Sequence, residues 1–389
     1  MKKIFIWIFK IFSLFALSLC LFSCLEDDPV KIRQAAVRRL YKHGSVKIAI
    51  ANSFSTNKTD MWDAALLAQE TINSQGICPV KIDLVKCDDG GTSISGTKKA
   101  YEIASDNEIA AVIGHGYSDI SLPCSIIYQY YGILTFNYIS TIHSLTDRNN
   151  PLIFSNMPDD LDFGERIARL CEKNGYKRVL IYYLENTSGT SLSNAFELSC
   201  NNLGIEIVSR ESYDITTRHQ TFERSVKRWK NNFMFDAVFL AGRMPSLKDI
   251  ILIFRENGIT CPIVGADPFE DPLLTESLPE SENGKIFAVS NYNISSKNIQ
   301  FQEFLNSFRN KYGRDPDQEA LQVYDALFVI ARAINESWTA VPSELAESLR
   351  SGVWYEAAGP YTFNQDGSIK GRRLTTKVFK NSAFEETNF

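Results

Sequence analysis

The sequence lacks the motifs on which most enzyme chemistry depends. It has only four histidines in 389 residues, and none of them lies in an HExxH motif. It also has no GxSxG motif, no P-loop and no GxGxxG following a strand. The paired carboxylates Asp88-Asp89 and Asp159-Asp160 are typical of helix caps and turns rather than of an acid/base pair. We therefore expect no catalytic activity and no cofactor.

A basic excess and long apolar runs are absent as well. The formal net charge of −5 argues against a nucleic-acid surface, which would carry an excess of lysine and arginine. No apolar run after residue 24 approaches the roughly 20 residues that a membrane-spanning helix needs. A chain of this length, with 44% hydrophobic residues, is expected to fold into two globular domains.

Cysteines at metal-ligand spacing are also missing. None of the eight cysteines forms a CxxC pair or has a histidine at zinc-ligand spacing, so no metal site is predicted. Two lie near the N-terminus, which leaves Cys78, Cys87, Cys124, Cys171, Cys200 and Cys261. An exported location would permit a disulfide, whereas apolar neighbours suit buried thiols, and the sequence leaves both open.

Residues 1–24 have the pattern of a secretory signal. Lys2 and Lys3 precede an uncharged apolar core at 11–22, and the segment ends at Cys24. The quartet LFSC at 21–24 resembles a bacterial lipobox, in which the cysteine becomes the lipidated first residue. Acyl chains on Cys24 would hold an exported protein at a membrane. The alternative is an uncleaved N-terminal anchor that tolerates Lys10.

Residues 25–44 are charged and precede the first clear strand, so we predict a tether with a short helix near 32–41. The basic residues of this segment suit either an anionic membrane surface or a solvated helix face.

From residue 46 onward, apolar strands alternate with amphipathic helices, which indicates parallel βαβ units. The first series has strands at 46–51, 80–85, 111–113, 132–136 and 152–154, with helices at 60–74, 93–105 and 119–131. The second has strands at 179–183, 205–208, 237–241 and 263–264, with helices at 160–173, 191–202, 220–229 and 246–257. Later segments, predicted to rejoin these two lobes, are a strand at 285–290, helices at 299–311 and 318–334, and a strand at 375–379.

The stretch 110–146 contains two polar turns, each directly after a predicted strand. Tyr117-Ser118-Asp119 follows the first, and 137–141 follows the second. Open α/β sheets bind ligands beyond the carboxyl ends of their strands, where helix N-termini also present free N–H groups. We therefore expect a ligand site there, although such turns are commonly plain helix caps. His115, beside the first turn, suits a hydrogen-bonded structural histidine better than a catalytic one.

Five short motifs follow one another in a characteristic order and spacing over 46–379. They are INSQG at 72–76, VIGH at 112–115, YGIL at 131–134, VGAD at 264–267, and GPYTFN at 359–364 followed by Asp366-Gly367. In this order the chain resembles the type I periplasmic solute-binding proteins of branched-chain amino acid ABC transporters.

The resemblance implies an α/β fold of two doubly wound, Rossmann-like lobes with central parallel sheets, joined by three hinge crossings. We place these crossings near residues 156, 290 and 358. Lobe I then comprises 45–157 plus 291–358, and lobe II comprises 158–290 plus 359–389. The family further implies a monomer that encloses an amino acid or related polar solute and delivers it to an ABC permease. The alternative is a ligand-binding sensor that signals through a membrane partner.

The resemblance also implies a set of ligand contacts. Ser118 corresponds to a hydroxyl that contacts the ligand carboxylate. Ile139 and Thr141, flanking Ser140, correspond to positions that supply a backbone carbonyl, a hydroxyl and an N–H. Asp267 corresponds to the acid that pairs with the α-ammonium group, with an Asp-Pro turn at Pro268 as the alternative.

Two positions depart from the family pattern. Ser188 and Arg243 stand where relatives carry aromatic rings, which disfavours a small aliphatic amino acid as the ligand. Arg243 would suit an acidic or otherwise polar ligand. The alternative is an arginine at the cleft rim that pairs with a local acid. The loop disulfide of the family is also expected to be missing, because Tyr117 replaces one of its cysteines.

Overall fold

A computed structural model describes residues 28–217, 219–291 and 298–387. Its apolar strands form two large sheets, and amphipathic helices connect the strands. The first sheet, in lobe I, has five strands in the order β2-β1-β3-β4-β5, and all neighbours are parallel. Its strands are β1 Ser45–Asn52, β2 Lys81–Asp88, β3 Ile109–Ile113, β4 Leu134–Asn137 and β5 Ile153–Ser155. Helices α2 Met61–Gln75, α3 Ser93–Ser105 and α4 Ser118–Tyr130 connect them, and a 3-10 turn covers His143–Leu145.

The second sheet, in lobe II, has seven strands in the order β14-β13-β10-β9-β8-β6-β7. Its parallel part comprises β6 Arg178–Leu184, β7 Glu206–Tyr213, β8 Ala237–Ala241, β9 Ile263–Ala266 and β10 Ile286–Ser290. β13 Thr375–Lys380 and β14 Ala383–Glu386 add two antiparallel strands at one edge. The helices are α5 Asp160–Lys173, α6 Thr187–Leu203, α7 His219–Asn232, α8 Ser246–Glu256 and the short α9 Pro272–Thr275, with 3-10 turns at Asp267–Glu270 and Glu280–Glu282.

Three further helices complete lobe I: α10 Ile299–Tyr312, α11 Gln318–Ser337 and α12 Pro342–Ser351. α11 is buried on several sides, as its apolar composition predicts, and it packs beside α2. Asp325 in α11 accepts hydrogen bonds from the N–H groups of Ala357 and Ala358. These bonds attach the hairpin of β11 Trp354–Glu356 and β12 Gly359–Tyr361 to α11.

The predicted fold class is confirmed, and most predicted elements match the observed ones. α3, α5 and β8 have the predicted bounds. α6 begins four residues earlier than predicted because the side chain of Asn186 caps it by accepting from the N–H of Gly189. α12, β11, β12 and β14 were not predicted.

The tether predicted at 25–44 is largely a folded helix, α1 Pro29–Lys42, which is longer than the short helix expected. Val37 of this helix is buried in the lobe I core, and Arg33 is also fully buried. The predicted lobe I therefore gains this helix, and only residues 25–28 are left as a candidate tether.

The third crossing between the lobes lies further along the chain than residue 358. Phe363 packs against Phe136 and Phe154 of lobe I, with ring centroids 5.8 and 5.1 Å apart. The carbonyl of Gly367 also accepts a hydrogen bond from the N–H of Ser155. Leu374 is the next residue buried in a lobe II core. Aromatic packing thus keeps 359–369 with lobe I, and the chain crosses between 371 and 374.

The predicted signal segment, including Cys24, lies outside the described residues. Within the part of the chain that the structure describes, no helix is both long and apolar enough to cross a membrane. The six cysteines from Cys78 to Cys261 are free thiols, and all but Cys261 are buried. The structure thus favours buried thiols over the disulfide that the sequence left open.

Candidate ligand-binding cleft

The two polar turns of the stretch 110–146 meet at the carboxyl edge of the lobe I sheet. The hydroxyls of Ser118, in the first turn of α4, and Ser140, after β4, are 2.8 Å apart, and both residues are buried. Asn137 braces the second turn because its amide group both donates to the carbonyl and accepts from the N–H of Ser140. No side chain caps α4, and the N–H groups of Ile120 and Ser121 donate to the carbonyl of Tyr117. The N–H groups of Ser118 and Asp119 are the ones that an anion could reach at this helix N-terminus.

Thr141 connects this edge to lobe II through Asp160, at the start of α5. Its hydroxyl donates to Oδ1 of Asp160 at 2.7 Å, and its carbonyl accepts from the N–H of Asp160 at 2.7 Å. Asp160 is 1% exposed, and the hydroxyl of Ser191 lies near its carboxyl group, although no partner is within hydrogen-bond distance of Oδ2 in the described ranges. Burial raises the pKa of Asp160 to about 7. The sequence pattern suggested a cap, but Asp159 alone is the cap of α5.

Asp267 follows β9 and begins the 3-10 turn that Pro268 favours, so it is both a turn residue and a cleft residue. Its Oδ2 accepts a hydrogen bond of 3.3 Å from Nε2 of Gln318, the first residue of α11. The same Nε2 donates to Oδ1 of Asn291 at 2.9 Å. Loss of hydration raises the pKa of Asp267 to about 7. Nothing in the sequence around Gln318 indicated a place in the site.

Arg243, after β8, reaches across to lobe I. Its guanidinium carbon lies 4.9 Å from the centre of the Tyr117 ring, which is a cation–π contact between the lobes. Within the described ranges Arg243 has no carboxylate at salt-bridge distance. The partner of Arg243 is therefore an aromatic ring of lobe I and not the local acid that the sequence offered as one alternative.

The other two predicted residues lie at the walls of the cleft. Ser188, in the first turn of α6, donates to Oδ1 of Asn186 at 3.3 Å. Ile139 is partly buried and packs against core residues of both lobes. Its side chain is therefore part of the contact between the lobes.

A small cavity of about 80 Å³ lies beside these residues, mostly within lobe II. Of the predicted residues, Thr141, Ser188 and Asp267 line it, whereas Ser118, Ile139, Ser140 and Arg243 do not. Asp160, which the sequence did not indicate, is a further polar residue of the lining. Most of the wall is apolar and comprises Phe163, Leu192, Leu240, Ala241, Leu247, Ala266, Pro268 and Phe269.

A second polar network lies in lobe I beside the cleft. Glu319 accepts hydrogen bonds from Asn52, Asn57 and Tyr138, and desolvation raises the pKa of Glu319 to about 7. The residues that begin α11 thus connect to both lobes, Gln318 to lobe II and Glu319 to lobe I.

His115 is held in a structural position. It is 1% exposed, its Nδ1 is 2.7 Å from Asp89, and its Nε2 is 2.9 Å from the hydroxyl of Tyr128. Both ring nitrogens have partners, which fits the structural alternative given above. Across the described ranges, no group of three or more histidine, cysteine or carboxylate side chains could hold a metal ion.

Comparisons with known proteins identify the family and agree with the fold. The chain is 25% identical over 334 residues to the Leu/Ile/Val-binding protein of Escherichia coli K12, covering 84% of this chain and 88% of the relative. It is 24% identical over 317 residues to an amino acid binding protein of Pseudomonas aeruginosa, covering 79% of this chain and 82% of the relative.

A solved ABC transporter substrate-binding protein from Desulfitobacterium hafniense, in complex with Leu, superposes with a TM-score of 0.77 at 29% identity. The match covers 88% of this chain and all of the solved one. The sequence profile of the family described as periplasmic binding protein matches residues 46–378. The chain therefore belongs to the periplasmic binding protein family. Its relatives include binding proteins for branched-chain amino acids, so the resemblance that its motifs predicted, to the type I proteins, is confirmed.

Proposed function

We propose that this chain is an extracytoplasmic substrate-binding lipoprotein that captures an amino acid, or a related small polar solute, between its lobes and delivers it to an ABC permease. The observation that carries the proposal is the position of Asp160 and Asp267, two carboxyl groups on one apolar-walled cavity next to a cluster of hydroxyls.

The polar groups suit a zwitterion. The hydroxyl of the Ser118–Ser140 pair that does not donate to its neighbour would receive the ligand carboxylate, together with the N–H groups at the start of α4, whereas Thr141 already donates to Asp160. Asp267 and the unpartnered Oδ2 of Asp160 would receive the ammonium group. Hydrogen bonds to charged groups contribute roughly 1.5 to 3 kcal/mol each, and a closed cleft cannot leave either end of the ligand unpaired.

The residues of the cavity wall indicate which kind of ligand side chain would fit. The departures at Ser188 and Arg243 favoured an acidic or polar ligand, but Arg243 stacks on Tyr117 and does not line the cavity. Ser188 and Gly189 are small, and the remaining wall is mostly apolar. An amino acid with an apolar portion in its side chain fits this wall better than a second carboxylate does.

Contacts between the lobes support capture by closure. Arg243 on Tyr117 and Gln318 on Asp267 both join residues that lie on opposite sides of the cleft. A ligand bound between them would stabilise the closed form and create a surface that a permease distinguishes from the open one. The lipidation of Cys24, a monomeric state and the absence of catalysis are part of the same proposal.

A thermal-shift screen of amino acids, amides and organic acids tests the proposal. A ligand at 100 times its dissociation constant should stabilise the protein by about 2.7 kcal/mol. The ligand should be recovered unmodified, since turnover would indicate an enzyme. Calorimetry should then show much weaker binding for Ser118→Ala, Asp160→Asn and Asp267→Asn, with the exposed Asp249→Asn as the matched control. Unchanged affinity in the three cleft variants would show that the ligand binds elsewhere.

A further inference from the structure

Helix α1 has no place in the functions described so far. It precedes the family match, which begins at residue 46, and it lies apart from the cleft. Yet it is attached firmly. The guanidinium of Arg33 is fully buried and donates to four main-chain carbonyls, at 2.6 to 2.8 Å, which belong to Ala104, Asp106, Ile109 and Tyr131.

These four carbonyls locate α1 at the base of lobe I. Ala104 and Asp106 lie at the C-terminus of α3, Ile109 begins β3, and Tyr131 follows α4. All of them lie at the edge where the strands start, whereas the cleft residues follow the ends of the strands. α1 is therefore on the opposite side of lobe I from the cleft.

Further contacts prevent α1 from rotating. Val30 fits against Gly132, where any side chain would clash with it. Arg38 forms a 2.7 Å ion pair with Glu344 of α12, and Val37 is buried in the core. The helix thus presents one constant face to solvent.

That outward face is basic. Residues 29–44 contain no acid, although the whole chain has a formal charge of −5. The side chains of Lys31 and Arg39 are 82% and 68% exposed, and Lys42 is exposed as well. Two acids approach the face from outside it: Asp28 at 3.8 Å from Lys31, and Glu108 at 3.7 Å from Arg39. Ile32 and Ala35 lie exposed between the basic residues.

We propose that α1 is a mount that holds the base of lobe I on an anionic membrane surface. The inference rests on the lipidation of Cys24, which is part of the proposed function.

Five residue steps separate Cys24 from Pro29, so the acylated residue lies at most about 18 Å from the helix. A chain of this size has a radius of gyration of about 20 Å, so the base must stay close to the bilayer. Anionic headgroups attract lysine and arginine at this range.

The test uses the full, acylated protein in vesicles of phosphatidylcholine, with or without phosphatidylglycerol. A dye is attached at Ala35→Cys in α1 or at Lys380→Cys, the last residue of β13, at the far end of lobe II. Both are made in a Cys261→Ser background because the other described thiols are buried. Energy transfer to a headgroup-labelled lipid should be several-fold stronger from position 35 than from position 380 when phosphatidylglycerol is present. Equal transfer from the two positions would overturn the proposal.

Two variants separate the contributions of the helix. Replacing Lys31, Arg39 and Lys42 by Gln should leave the protein membrane-bound but abolish the effect of phosphatidylglycerol, and an unchanged effect would contradict the membrane contact. Arg33→Met should reduce the difference between positions 35 and 380. Its fold is checked by the ligand-induced shift in melting temperature.

The measurements distinguish a protein that lacks the lipid anchor on Cys24 from one in which α1 does not act as a mount. The mass of the N-terminal peptide reports acylation, and Cys24→Ala should abolish vesicle binding. A chain without acyl groups would overturn both the lipoprotein assignment and the mount. An acylated chain that binds its ligand but transfers energy equally from both positions would overturn the mount alone.

Discussion

Gln318 donates a hydrogen bond of 3.3 Å to Asp267, although the two residues are 51 positions apart and belong to different lobes. Gln318 begins α11, which packs in lobe I, and Asp267 directly follows the β9 strand of lobe II. The bond joins the lobes at the carboxyl group that we propose as a ligand contact. We therefore expect closure and ligand recognition to be coupled at this position.

Replacing Gln318 by Ala should weaken ligand binding. Both Asp267 and Asn291 lose a donor, and the closed form loses one link between the lobes. A single hydrogen bond contributes about 0.5 to 1.5 kcal/mol, so the dissociation constant should rise roughly 2- to 13-fold. Calorimetry measures the change. Gln300→Ala, which removes an exposed bond to Tyr355, is the matched control and should bind as the native protein does.

Binding of a zwitterionic ligand should strengthen as the pH rises from about 5.5 to 8. Burial raises the pKa of Asp160 and of Asp267 to about 7, so both are largely protonated at the acidic end and accept an ammonium group poorly. Binding should therefore release protons below pH 7. Calorimetry in two buffers of different ionisation enthalpy measures that release. Asp267→Asn should flatten the pH profile, and a profile identical to the native one would remove Asp267 from the site.

The ligand-free protein should lose stability over a similar pH range. Desolvation raises the pKa of Glu319 to about 7, so its stabilising contribution is complete below the unfolded pKa near 4.5 and is lost as the pH rises through 7. Asp325 and Glu356 are also buried, and burial raises the pKa of Asp325 to about 6 and that of Glu356 to about 7.

Melting temperatures measured from pH 5 to 8 should therefore fall, and Glu319→Gln should make the fall shallower. Other titrating groups are the same in both proteins, so the difference between the two slopes isolates Glu319. Parallel slopes would mean that Glu319 is already ionised throughout this range. Glu347→Gln, at an exposed position of α12, serves as the control.

Phe363→Ala should destabilise the protein by about 3 to 5 kcal/mol, because it removes a buried ring from the lobe I core. Chemical denaturation measures the loss. If 359–369 belonged to lobe II, hydrogen exchange in the variant would increase around β13. We expect the increase around β4 and β5 instead. Tyr355→Ala, at an exposed position of the neighbouring hairpin, should cost far less.

The order of the strands and helices follows from the sequence alone. Five consecutive apolar residues make β8 a buried strand, the apolar spacing of α5 predicts the extent of that helix, and its capping aspartate marks its N-terminus. These signals act over a few residues, so a linear reading captures them. The order of the motifs along the chain further predicted the two-lobed fold, because it identified a family whose topology local patterns do not reveal.

Only the tertiary structure decided which polar residues meet in the cleft. Asp160 resembles a second cap residue in sequence and becomes a buried carboxyl only because α5 lies against Thr141. Gln318 reaches Asp267 only because the lobes face each other, and Arg243 meets Tyr117 for the same reason. The charges of 25–44 suggested a tether, yet the side chain of Arg33 donates to four carbonyls, three within 104–109 and one at Tyr131, which attach the helix to lobe I. Burial, hydrogen bonding and pKa depend on neighbours that are distant in sequence, and folding alone brings those neighbours together.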